Sequence, residues 1–137
     1  MQVLIIGSVF ETARLLDRRR LNKQIIECKQ MFKAMDGGKA WANHPCTLQY
    51  KEYRAWLKLY MYSLECFIKG DYNSSAIWSS LAQDITPDWH TEEYYTNMKK
   101  RLYTKDNVHY KQWEYLGKSY INMYYVNGQW RLYKQNK

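Results

Sequence analysis

The sequence has few of the residues that cross-link or interrupt a chain. Its 137 residues include two prolines, six glycines and three cysteines. The cysteines, Cys28, Cys46 and Cys66, lie far apart and form no CxxC pair, which excludes a disulfide framework and a zinc site of the usual spacing. We therefore expect reduced thiols in the core of an intracellular protein.

Long hydrophobic runs and the common catalytic motifs are also missing. The opening VLII run is too short to span a membrane and has no basic flank of the kind that begins a signal peptide. No Gly-rich phosphate loop, HExxH, GxSxG or metal-ligand spacing occurs. We predict one cytoplasmic domain over residues 1–137, with no cofactor, no metal and no membrane contact, and leave its oligomeric state open.

Acidic residues are outnumbered, and this imbalance points to an anionic partner. There are 13 Asp and Glu against 21 Lys and Arg, a net charge of +8 with a sequence pI of about 9.3. A positive field raises the local concentration of polyanions, of which nucleic acid is the commonest. Aromatic residues make up 17% of the chain, and rings interleaved with cations suit stacking on unpaired bases. The alternative is that these rings fill the core.

An apolar stripe with the spacing of an α-helix runs through residues 17–35. It consists of Leu21, Ile25, Cys28, Phe32 and Met35. Beside it, Arg20, Lys23 and Glu27 fall within a sector of roughly 60°, so that one carboxylate lies among cations on a face that suits phosphate. The alternative is that Lys23 and Glu27 form a solvated i,i+4 pair worth about 0.2–0.5 kcal/mol and nothing more.

The segment before this helix predicts how the chain enters it. Residues 2–6 are almost continuously apolar and precede a Gly-Ser break, which favours a buried extended segment. Ser8 or Thr12 then caps a helix that continues to about residue 35, where two glycines supply the left-handed backbone that ends it.

A second helix start stands at residues 41–45, the sequence WANHP. Pro45 suits the first turn of a helix, and the helix that follows ends at residues 69–70. His44 is either a catalytic or phosphate-contacting side chain or simply the cap of this helix. Three shorter helices are predicted around residues 77–81, 91–101 and 108–116.

The end of the chain predicts a hairpin. Aromatic and apolar residues flank Asn127-Gly128, the dipeptide most typical of a two-residue hairpin turn. Alternation would bury one set of rings and leave Tyr125 and Tyr133 beside Arg131 at the surface, or all the rings belong to the core. We therefore predict a mainly α fold, a compact single-domain helical bundle with a short C-terminal aromatic hairpin or irregular tail.

The amine at the start of the chain and Glu27 suggest a chemistry that needs no metal. A neutral amine can attack the C1′ carbon of a sugar to form an imine, while a carboxylate stabilises the sugar cation and moves protons. The imine then promotes β-elimination of the phosphate. An α-amine has an ordinary pKa of about 7.7–8.0, which leaves a useful neutral fraction at pH 7.

Three stretches together carry a resemblance to a known family. They are the segment from Asp17 to Glu27, the loop Asn43-His44-Pro45, and the aromatic ending with Trp and paired Tyr. In these the chain resembles the small phage and viral pyrimidine-dimer DNA glycosylases of the endonuclease V type, and especially their short relatives. The likeness covers most of the chain, although the middle third does not match closely.

The resemblance implies an all-α domain that binds duplex DNA containing a cyclobutane pyrimidine dimer, kinks it and flips out a base opposite the lesion. In that family the N-terminal α-amine is the nucleophile and a glutamate on the first long helix is the catalytic acid. These roles carry over to Met1 and Glu27. Well-characterised members begin with Thr after loss of the initiator Met, whereas here Gln2 is too large for the usual removal of Met.

These observations predict a glycosylase and AP lyase acting on double-stranded DNA in the cytoplasm, the host cytoplasm if the protein is phage-encoded. The alternatives are a non-catalytic basic nucleic-acid-binding protein on the same scaffold, or a phage regulatory or interaction factor. The predicted nucleic-acid-binding residues are Arg18, Arg19, Arg20, Lys23, His44, Lys99, Lys100, Arg101, Lys118, Tyr125, Arg131 and Tyr133.

Overall fold

The computed structural model describes residues 2–117 and the backbone of residues 123–126 and 129–132. Within those residues, the helices are α1 (Val9–Leu15), α2 (Arg18–Met35), α3 (Pro45–Tyr50), α4 (Arg54–Ile68), α5 (Tyr72–Gln83) and α6 (Glu92–Lys105). Two 3-10 turns, Lys51–Tyr53 and Lys111–Leu116, and two strands, β1 (Met123–Val126) and β2 (Gln129–Leu132), complete the order. The predicted mainly α fold is confirmed.

The extended N-terminal segment is buried, as its apolar sequence predicts, and side chains of the helices bind its backbone. Gln24 of α2 accepts a hydrogen bond from the N–H of Leu4 at 2.8 Å and donates one to the carbonyl of Gln2 at 2.8 Å. Tyr60 of α4 donates its hydroxyl to the same Gln24 amide oxygen at 2.7 Å. Buried backbone groups need such partners, and here α2 and α4 supply them.

The core lies between this segment, α2 and α4 and is rich in aromatic rings. Trp56 stacks between Tyr50 and Tyr60, with ring centroids 5.5 and 5.1 Å apart, and all three rings are buried. The apolar stripe of α2 contributes Leu21, Cys28 and Phe32 as fully buried residues, while Ile25 and Met35 are half-buried against the same core. Much of the aromatic content therefore stabilises the fold.

Two predicted helices are divided in the structure. Ser8 caps α1 by accepting from the N–H of Glu11, but the helix stops at Leu15, and Asp17 then caps α2 by accepting from the N–H of Arg20. An Asp side chain satisfies orphan N–H groups best at such a start, which favours the break. Thr12 does not cap, because its hydroxyl accepts from the N–H of Ile6.

The second long helix is likewise interrupted, by the 3-10 turn at Lys51–Tyr53. The next helix, α5, begins at Tyr72 with Asp71 as its cap and is longer than the sequence indicates. It turns small residues to the core, namely Ser75, Ser79 and Ala82. The hydroxyl of Ser63 on α4 donates to the carbonyl of Ser75 at 2.7 Å, so small side chains let the two helices approach closely.

The backbone of the predicted C-terminal hairpin is confirmed. β1 and β2 pair antiparallel, with Met123 opposite Leu132 and Val126 opposite Gln129, which leaves Asn127 and Gly128 between the strands. β1 lies next to α3. The side chains of this hairpin are outside the described residues, so its stacking and core roles stay predictions. In the part of the chain that is described, none of the helices has the length and apolar character that crossing a membrane requires.

The first testable prediction concerns Gln24. We expect Gln24→Ala to destabilise the protein by about 3 kcal/mol, because Leu4, Gln2 and Tyr60 lose one buried hydrogen-bond partner together. Urea or thermal unfolding measures the change. The matched control is Asn22→Ala on the exposed side of α2, which should leave stability within about 0.5 kcal/mol. Equal effects of the two substitutions would contradict the anchoring role.

Candidate functional site

Glu27 lies at the point where α2 meets the beginning of the chain. Its side chain is buried, with 8% exposure, and Oε2 accepts a hydrogen bond from the N–H of Gln2 at 3.1 Å. Oε1 is 3.9 Å from Nζ of Lys23, whose side chain remains 71% exposed. The i,i+4 pair expected from the sequence is therefore present, but only one partner is solvated. Met1, which directly precedes Gln2, lies outside the described residues.

The loop from Asp36 to His44 places a second set of side chains near this carboxylate. His44 caps α3, since its Nδ1 accepts from the N–H of Cys46 at 3.1 Å and Pro45 is the first helical residue. Burial lowers the pKa of His44, and the negative charge of Glu27 partly opposes this. The capping alternative for His44 is thus observed, and the charge of Glu27 acts on the imidazole.

The Cys46 thiol packs behind this loop and is inert. Its Sγ lies 3.6 Å from Sδ of Met31, and burial raises the pKa of the thiol to about 12, so it stays protonated at neutral pH. A protonated thiol is a poor nucleophile and metal ligand. Among residues 2–117 and the two strands, no group of three or more His, Cys, Asp or Glu side chains is placed to hold a metal ion.

Trp41 in the same loop has a strained backbone. Its φ is 66°, and no other non-glycine residue of the described chain has a positive φ. A bulky residue in the left-handed region costs about 1–3 kcal/mol, and this conformation persists only where the surrounding structure imposes it. The carbonyl of Trp41 accepts from the N–H of His44 at 3.1 Å, and the two rings meet edge to face with centroids 5.4 Å apart.

Lys105 of α6 lies among other cations. Its side chain is exposed, yet partial burial first, and then the positive charges of Arg101, Arg20 and Lys23, lower its pKa, whereas the negative charge of Glu27 acts in the opposite sense. Lys105 therefore lies within electrostatic range of all four residues. We call Arg20, Lys23, Arg101 and Lys105 the cationic cluster. Such an excess of like charge is suited to an anion.

Arg20 differs from the other members because acids of the protein itself hold it. Its Nη1 lies 3.1 Å from Oδ1 of Asp17 and 3.7 Å from Oδ2 of Asp106, and its guanidinium covers the ring of Tyr110. The hydroxyl of Tyr110 also donates to the Asp17 carboxylate. Burial raises the pKa of Asp17, but the hydrogen bonds from Tyr110 and Arg20 outweigh it and lower the pKa overall. Arg20 thus joins α2 to the end of α6.

The other predicted binding residues are distributed more widely. Arg18 and Arg19 are exposed at the start of α2, and Arg18 donates to the carbonyl of Ile68 at 3.4 Å. On α6, Lys99 lies over the ring of Trp113, and Lys100 is half-buried. Lys118 and Tyr133 lie outside the described residues, as do the side chains of Tyr125 and Arg131.

Lys105 is the site residue that the sequence reasoning missed. The sequence predicts that α6 ends near residue 101, whereas the helix continues for one further turn to include Lys105. The available indication was its spacing, since Lys105 follows Arg101 by four residues and so shares a helix face with it. Its approach to Lys23 depends on the packing of α6 near α2, which periodicity does not report.

Comparison with known proteins identifies one family. The family model of pyrimidine dimer DNA glycosylase matches residues 1–80, more than half of the chain. The matched part includes the N-terminal segment, Glu27 and the loop with Trp41 and His44, whereas Arg101 and Lys105 lie beyond it. Neither the curated proteins nor the solved structures contain a match.

The second testable prediction concerns the charge of Lys105. Because its folded-state pKa is lowered, the charged form is disfavoured in the folded protein, and this destabilisation is fully present at pH 7. We expect Lys105→Gln to raise the melting temperature at pH 7, and the gain to disappear as the pH rises through the unfolded pKa of about 10.4. Lys111→Gln, at an exposed position on the next turn, is the control. A lower melting temperature of Lys105→Gln at pH 7 would contradict the unfavourable charge at Lys105.

Proposed function

The chain belongs to the pyrimidine dimer DNA glycosylase family, and from that premise we propose that it removes a damaged base from duplex DNA and cleaves the resulting abasic strand. The α-amine of Met1 acts as nucleophile and Glu27 as the catalytic carboxylate. The observation that carries the proposal is the 3.1 Å hydrogen bond from the N–H of Gln2 to Oε2 of Glu27.

This hydrogen bond ties the catalytic carboxylate to the first residues of the chain. The α-amine of Met1 precedes the Gln2 amide by one residue, a span that covalent geometry limits to roughly 3.8 Å. An α-amine is the most suitable amine for imine chemistry near pH 7, since its ordinary pKa of about 7.7–8.0 leaves part of it neutral. The hydrogen bond between Gln2 and Glu27 therefore supports the pairing of the α-amine as nucleophile with Glu27 as acid.

The proposed reaction begins at the C1′ carbon of the sugar. The amine nitrogen forms a bond to C1′ while the glycosidic bond breaks and its electron pair leaves with the base. Glu27 stabilises the positive charge on the sugar, takes a proton from the attacking nitrogen and returns it to O4′ as the C1′–O4′ bond breaks, so that ring opening gives a protonated imine. Removal of a C2′ proton then expels the 3′ phosphate by β-elimination, which cuts the strand.

The cationic cluster supports DNA as the substrate. Lys23 and Lys105 carry positive charge toward the carboxylate from two different helices, and phosphate groups are the natural partners of such a pair. Phosphate contacts would hold the strand in register at Glu27 without reading bases. Arg20, already paired with Asp17 and Asp106, is better placed to orient this surface than to release a charge to DNA.

A second candidate is a DNA-binding protein of the same fold without catalysis. The observation that favours it is Gln2, which would leave Met1 in place and shift the amine by one residue relative to family members that begin with Thr. This candidate requires the cationic cluster but not Glu27. Borohydride trapping on abasic DNA separates the two, because only an imine is reduced to a stable adduct.

The third testable prediction concerns Glu27. We expect Glu27→Gln to lower the rate of borohydride trapping and strand cleavage by about 10²-fold or more, because proton transfer and charge stabilisation are lost. Affinity for abasic duplex should stay the same or increase, since the substitution removes a negative charge that would repel phosphate. The amide oxygen still accepts from the N–H of Gln2, so the fold is kept. Glu52→Gln, at an exposed position, is the control.

Three results would contradict this assignment. Loss of DNA affinity together with a lower melting temperature in Glu27→Gln would show that the carboxylate is structural. Peptide mapping of the trapped adduct also locates the nucleophile: a sugar fragment on Met1 supports the proposal, and one on a lysine overturns it. If the wild-type protein binds abasic DNA but forms no adduct, the non-catalytic candidate is correct.

The fourth testable prediction concerns Lys23. We expect Lys23→Ala to weaken binding to all duplex sequences alike and to reduce the slope of log affinity against log salt by about one unit. Melting temperature should hardly change, because the Lys23 side chain is 71% exposed. Lys51→Ala, exposed in the 3-10 turn, is the control and should bind as wild type does. If Lys23→Ala keeps the wild-type slope of log affinity against log salt, DNA does not bind at Lys23.

A further inference from the structure

Trp41 combines two features that the folding of the chain does not explain. Its side chain is 44% exposed, so it gains little from burial, yet its backbone is held at φ 66°, which glycine or asparagine adopts more readily. Trp56 and Trp113, by contrast, are buried. A costly conformation that keeps a large ring at the surface indicates that the ring has a use there.

The loop holds this ring in a fixed position. The N–H of His44 donates to the carbonyl of Trp41, and the His44 ring, which meets the Trp41 ring edge to face, is itself fixed by the N–H of Cys46. Cys46 then packs on Met31, one helical turn beyond Glu27 on α2. A rigid aromatic surface loses little conformational freedom when it binds a flat partner.

The position of Trp41 also places it at the edge of the site. The His44 ring that Trp41 contacts lies two residues before Cys46, whose Sγ is 3.6 Å from Sδ of Met31, one helical turn from Glu27. Lys39, two residues before Trp41, is exposed, so that a cation and a ring alternate along this loop as they do where proteins bind single-stranded nucleic acid. The loop is therefore joined through Cys46 and Met31 to the helix that carries Glu27.

We propose that Trp41 stacks on a nucleobase that has lost its pairing or stacking partner at the lesion. The inference rests on the proposed function, since it places DNA at Glu27. The ligand class is the flat face of an unpaired base, and Trp41 acts as a positioning residue that favours distorted over intact duplex. Removing a base from the stack leaves such a face uncovered, and an inserted side chain can occupy the gap.

The test uses Trp41→Gly and Trp41→Phe in the full chain, with an uncleavable abasic-site analogue in one duplex and no lesion in the other. Glycine relieves the backbone strain and removes the ring. We expect Trp41→Gly to melt at the same or a higher temperature while its affinity for the abasic duplex falls by about tenfold. Affinity for the intact duplex should change by less than about twofold, and Trp41→Phe should retain most of the preference.

A fluorescent base adds a direct reading of contact. With 2-aminopurine opposite the abasic site, wild type and Trp41→Phe should quench the emission more strongly than Trp41→Gly. Tyr115→Ala, which removes another aromatic ring that is 79% exposed, is the control and should leave both affinity and quenching unchanged. Equal quenching by wild type and Trp41→Gly would overturn the stacking role.

Two further outcomes separate this inference from the proposed function. If Trp41→Gly lowers the melting temperature and weakens both duplexes equally, the ring is structural and the inference is wrong. Borohydride trapping by the wild-type protein reports the proposed function independently. If the wild-type protein is trapped and Trp41→Gly keeps the preference for the abasic duplex, only the stacking role is rejected. If the wild-type protein shows neither trapping nor salt-dependent DNA binding, the proposed function is rejected.

Discussion

The structure depends on how α2 binds the extended start of the chain. An extended segment inside a helical protein carries backbone N–H and C=O groups that no helix of its own can satisfy. Gln24 and Glu27, about one helical turn apart, accept from the N–H groups of Leu4 and Gln2, and Gln24 also donates to the carbonyl of Gln2. The requirement to satisfy this backbone therefore brings a carboxylate and the beginning of the chain together, before any chemistry is considered.

The sequence predicted those parts of the fold that local chemistry determines. The apolar stripe of α2, the cap at Ser8 and the helix start at Pro45 follow from side-chain spacing, capping and proline geometry, and all are observed. The break between α1 and α2 at Asp17 was not predicted. Glu27 was correctly placed on the flank of that stripe. Its burial was not predicted, because the partner that buries it is Gln2, which is distant in sequence. The small-residue face of α5 was not predicted for a related reason, because the hydropathy of a sequence does not show where two helices pack closely.

The charges of the site divide into two groups with different tasks. Asp17 and Asp106 hold Arg20 against Tyr110 and so fix the end of α6 relative to α2. Lys23 and Lys105 have no comparable set of acids in the described ion pairs beyond the single contact of Lys23 with Glu27. Acids thus neutralise the charge of Arg20, which supports packing, whereas the charges of Lys23 and Lys105 are available to an anion. Composition alone reports only the sum of these two groups.

Trp41 and Lys105 each carry a local penalty. Trp41 is held in a backbone region that disfavours large residues, and burial and neighbouring cations lower the pKa of Lys105. A chain selected for stability alone would relieve both by placing glycine at the first position and a neutral residue at the second. Proteins break local rules mainly where a site requires it. The strain comes from a loop inside the matched family segment and the charge from a helix outside it, so that the two observations do not depend on each other.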